Sequence, residues 1–196
     1  MGFSLSWLAI KGASRETALA SLGLRGTGAF EELPESQLTG VLLPTGWYMV
    51  VSNRGEYPAF MEDKTLARVS ASTQLVTCFV EEHVMCSHAA EWREGREIWS
   101  LMHTADTGGI EHLEVKGEPP ACFASIRNRL RAKQQEAGGR KAEVDYIFGI
   151  PVETAQQLTG YQHDRDIPGA SEKPFEVLES TDATPKRSWL RRILGV

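Results

Sequence analysis

Little in this chain fixes a chemistry. Its 196 residues hold three cysteines, Cys78, Cys86 and Cys122, an odd count without paired spacing. Met1-Gly2-Phe3 runs straight into a strand-like segment with no cleavable leader, and together these features lead us to expect a reducing, cytoplasmic setting. No apolar run approaches the roughly 20 residues of a membrane-spanning helix. A basic surplus is missing too. The formal net charge of -5 is the wrong sign for a dedicated nucleic-acid binder, so none is expected as partner. G-x-S-x-G, P-loop, dinucleotide-fingerprint, C-x-x-C and H-E-x-x-H patterns are all absent, which removes the common hydrolase, kinase and dehydrogenase readings. Nothing calls for a cofactor.

What is present reads as one α+β domain over residues 1–164. Its organising stretch is 73–103, TQLVTCFVEEHVMCSHAAEWREGREIWSLMH. Alternating apolar positions on either side of Glu82-His83 and Glu94-Gly95 predict three antiparallel strands joined by two-residue turns. Such turns would set Trp92 opposite Glu97, Ala90 opposite Trp99, His88 opposite Leu101, Cys86 opposite His103 and Phe79 opposite Cys86. One face then carries Val76, Cys78, Val80, Ala89, Ile98 and Met102. The other carries Phe79, Cys86, His88, Trp92, Trp99, Leu101 and His103, rings with polar tips that suit an interface.

Around this meander the chain predicts a strand over 3–10 and a helix over 15–22, capped by Ser14 and closed by Gly23. A hairpin over 40–43 and 47–53 follows, turning at Pro44-Thr45-Gly46, then a short helix from Asp63. The long helix over 121–137 carries Phe123, Ile126 and Leu130 at helical spacing. Its arginines and lysines read first as a solvated face and second as a patch for an acidic partner. Pro151 opens a last helix, closed by Gly160, with Tyr161-Gln162-His163-Asp164 as a polar cluster at its exit. The expected architecture is an antiparallel sheet built on the central three-strand meander, with helices gathered mainly on one face.

Residues 165–185 hold three prolines and few aliphatics, so a flexible linker is expected, with Phe175, Val177 and Leu178 as an apolar island. Residues 186–196, KRSWLRRILGV, form a basic amphipathic end. On a helix Trp189, Leu190, Ile193 and Leu194 share one side, while Arg191 and Arg192 crowd the other, which fits weak contact with an anionic membrane or a partner groove.

Two site readings follow. In the first, Phe79, His88, Trp92, Trp99 and His103 form a contact surface for a protein partner, helped by 186–196. In the second, Cys86, His88 and His103 lie close enough, at about 5 Å and 7–8 Å between Cβ atoms, for a thiolate–imidazole pair or a zinc corner. His112 and His163 have no partner that spacing can place.

The order of Ser6-Trp7-Leu8, Gly46-Trp47-Tyr48, Leu66-Ala67-Arg68-Val69-Ser70 and the Trp92, Gly95, Trp99 hairpin resembles small bacterial α+β proteins, some of them taken to act as immunity or other binding proteins. The resemblance covers residues 3–103 and implies a non-catalytic binding role. It transfers no catalytic residue.

Overall fold

The computed structural model describes residues 2–53 and 58–181. Among them are nine strands: β1 (Ser4–Lys11), β2 (Leu24–Glu31), β3 (Leu38–Leu42), β4 (Tyr48–Ser52), β5 (Gln74–Glu81), β6 (Cys86–Arg93), β7 (Arg96–Thr104), β8 (Glu114–Gly117) and β9 (Phe175–Ser180). Five helices join them: α1 (Arg15–Leu22), α2 (Asp63–Ser70), α3 (Ala105–Gly108), α4 (Cys122–Glu136) and α5 (Gly149–Thr159). The strands form one antiparallel sheet in the order β2-β9-β3-β4-β1-β5-β6-β7-β8, an α+β arrangement. No helix among the described residues is long and apolar enough to cross a membrane.

β1 is the middle strand of the nine, and the β5-β6-β7 run lies to one side of it. The reason is in its sequence. Leu5, Trp7 and Ala9 enter one core while Leu8 and Ile10 enter the other, so both faces of β1 need cover. In β4 all five residues are buried.

Helices therefore pack on both faces, where the sequence suggested one. Phe123, Ile126 and Leu130 of α4 and Ile150, Val152 and Ala155 of α5 close the first core. Ala18 and Leu19 of α1, Leu66 and Val69 of α2, and the 3-10 turn Ala59–Met61 close the second. Local signals set the helix ends as expected. Ser14 Oγ accepts from Thr17 N at 3.2 Å, and Gly23 takes the left-handed conformation at φ 67°.

The stretch read as a linker contains β9, which sits between β2 and β3. Its apolar island is the cause. Phe175 enters the first core and Leu178 the second, so the segment buries side chains on both faces and offsets its ordering cost. Ordered structure thus continues past residue 164, to the end of β9 at Ser180.

Candidate functional site

The two site readings from sequence depend on register, and the register differs at both turns. Glu94-Gly95 makes the expected two-residue turn, with φ of 52° and 75° and Arg93 facing Arg96. Beyond it β7 carries an extra residue. Trp92 pairs with Glu97 but Glu91 pairs with Trp99, which leaves Ile98 as a bulge. Every later β7 side chain changes face. Trp99 and Leu101 join the first core, whereas Trp92 stays in the second with Ala90. The other turn spans residues 82–85, so Phe79 pairs with His88 and Cys86 with Glu81.

The aromatic set is accordingly split. Phe79, His88 and Trp92 lie on the α2 side, and Trp99 and His103 on the α5 side. Trp92, Trp99 and His103 are 7%, 1% and 0% exposed, so no common solvent-facing surface exists there. Cys86 opposes Thr104, while His103 opposes Ser87 on the other face. Cys86, His88 and His103 do not converge, and no three His, Cys, Asp or Glu side chains among the described residues gather to hold a metal. The thiols also lie on the unreactive side. Burial pushes Cys86 up, with Asp106 and Glu81 adding to it, and burial pushes Cys78 and Cys122 up as well. Burial holds the His88 imidazole below its ordinary range. Residues Trp189, Leu190, Arg191, Arg192 and Ile193 fall outside the described residues.

His103 instead has a structural setting. Its Nδ1 lies 2.7 Å from the His112 carbonyl oxygen and its Nε2 2.8 Å from Asp145 Oδ2. Both ring nitrogens thus have a polar partner. Asp145 Oδ1 in turn accepts from Phe148 N at 3.0 Å, which ties the start of α5 to β7. Trp99 is held likewise, its Nε1 donating to buried Glu91 at 2.7 Å.

The surface with functional character lies elsewhere, at the exit of α5. Gly160, with φ of 85°, turns the chain out of the helix, and residues 160–174 then run to β9 without helix or strand. Irregular connections of this length are uncommon in compact domains and frequently serve function. This one forms one side of two adjoining clefts, about 290 Å³ and about 410 Å³. Leu33, Pro34, His163, Arg165 and Asp166 line both. Tyr161 and Phe175 floor the first; Phe3 and Leu5 complete the second.

His163 is the pivot of this groove. Its side chain is only 4% exposed, and its ring meets Phe3 edge to face at 4.9 Å between centroids. Nε2 points to Glu82 Oε1 at 3.5 Å, while Nδ1 is buried with no partner among the described residues. Next to it Tyr161 packs edge to face on Trp7 at 5.8 Å, and burial, with Cys78 and Asp164 beside it, raises its phenol. Among the described residues, Glu32, Glu35, Asp164, Asp166 and Glu172 line the clefts with one cation, Arg165, and none of the six forms an ion pair. Sequence marked only 161–164 as a polar cluster; Leu33 and Phe3 reach it through tertiary contacts that no spacing reveals.

Comparison with protein-family models, with curated proteins and with solved structures returns no match. The functional reading therefore rests on the groove's own chemistry.

Proposed function

We propose that this chain is a binding protein without catalysis of its own, and that its protein partner sits in the groove at the α5 exit. The observation that carries the reading is the His163 ring: almost fully buried, shared by two adjoining clefts, and with one nitrogen unpartnered among the described residues. A buried polar group of this kind costs stability unless something satisfies it, so its retention at a surface groove favours a ligand contact. Apolar rims support the same reading, since Leu33 is 54% and Phe3 41% exposed beside the clefts. Raised thiols and a buried His103 count against the catalytic reading built on Cys86, His88 and His103.

A photo-reactive amino acid in place of Leu33, compared with one in place of Val115 on β8, tests the proposal at the groove and away from it. The expected result is a discrete crosslink to one protein from position 33 and none from 115. Equal labelling from both positions, or none from 33, overturns it.

A further inference from the structure

We infer that the occupant of this groove is a basic, partly aliphatic segment of the partner protein, bound in extended form; the inference rests on the groove reading above. Charge is the first argument. Among the described residues, the five carboxylates Glu32, Glu35, Asp164, Asp166 and Glu172 line the clefts against one cation, Arg165. A cleft with low-dielectric sides and one sign of charge concentrates the opposite charge. An acidic segment or a nucleic acid would meet carboxylates on both rims.

The apolar surface is the second argument. Leu33 and Pro34 line both clefts, and Ile167 lines the first. Such side chains accept the methylene stems of lysine and arginine while the charged heads reach the carboxylates. Two clefts that share one side suit alternate side chains of an extended segment, because successive residues point to opposite sides. The third argument is His163. Its ring lines both clefts, and its buried Nδ1 has no partner among the described residues.

The test uses the full chain and three fluorescent hexapeptides. Leucine alternates with lysine in one, with glutamine in the second and with glutamate in the third. A photo-reactive group at position 33 reports whether binding is in the groove. The expected result is that the lysine peptide crosslinks at 33 and binds about tenfold tighter than the glutamine peptide, with an affinity that falls as salt rises. The double variant Glu32→Lys, Asp166→Lys, both at exposed positions, is expected to lose that advantage while keeping its thermal midpoint. If the glutamine peptide crosslinks at 33 as strongly as the lysine peptide, the charge inference fails and the groove reading stands. If the lysine peptide binds without crosslinking at 33, or no peptide binds, the inference is overturned.

Discussion

Trp92 and Trp99 lie on opposite faces of the sheet although their strands are direct neighbours. Ile98 is the cause, the extra residue between the pairs Trp92–Glu97 and Glu91–Trp99. The two indoles consequently belong to different cores, and neither forms part of an open surface.

Substitution of either tryptophan is therefore expected to act on stability. Trp99→Ala should cost about 3–5 kcal/mol, as large-to-small changes at buried aromatic positions do, and Trp92→Ala somewhat less because that ring is 7% exposed. Trp99→Phe keeps most of the ring but deprives buried Glu91 of a donor, at a cost of about 1–3 kcal/mol. Urea unfolding measures all three. An unchanged midpoint for Trp99→Ala would contradict the bulged register.

Asp145 and His103 form a buried pair between α5's leading turn and β7. Removing one partner strands the other, so Asp145→Ala is expected to destabilise by about 3–5 kcal/mol. Asp145→Asn should cost less, since an amide oxygen can still accept from Phe148 N. Equal costs for the two variants would mean that the Phe148 contact contributes nothing.

Gly40 is a packing requirement. A Cβ there would overlap the Tyr48 hydroxyl and lie 3.0 Å from its Cζ. Gly40→Ala should cost about 1–3 kcal/mol, the usual range for overpacking. In the Tyr48→Phe background the added cost should shrink, because the closest atom is gone. A double-mutant cycle with no coupling would argue against this contact.

Alkaline pH should weaken the fold through Tyr48. Burial raises its phenol from 10.0 to about 12, with Glu176 adding to the rise and Arg15 opposing it. The folded chain then keeps a proton that the unfolded chain releases. Stability from this group is complete below pH 10 and is lost as pH rises towards 12. Urea midpoints between pH 9 and 11 should fall in the parent and fall less in Tyr48→Phe, with burial of Tyr161 supplying part of what remains. Parallel curves for the two proteins would exclude Tyr48 as the source.

Much of the local structure was legible. The Ser14 cap, the Gly23 and Gly160 helix ends and the Glu94-Gly95 turn all follow from side chains acting within a few residues of themselves. The candidate site was legible only as Tyr161-Gln162-His163-Asp164. Its other side, Leu33-Pro34 and Phe3, is brought there by β9 settling between β2 and β3 and by β1 taking the middle of the sheet. Phe175, Val177 and Leu178 stood out as apolar, but a composition poor in aliphatics over the rest of 165–185 hid a strand that packs on both faces.

By itself, then, the amino-acid sequence determined β1, the β3–β4 hairpin, the three meander strands and the helices α1, α2, α4 and α5, because propensity, capping and turn chemistry act locally. It did not mark β2 or β9 as strands. Only the tertiary structure decided which side chains share a face. A strand's side chains alternate with a period of two, so the single inserted Ile98 turned Trp99, Leu101 and His103 inward against α4 and α5, and pairings between residues far apart in the chain assembled the groove around His163.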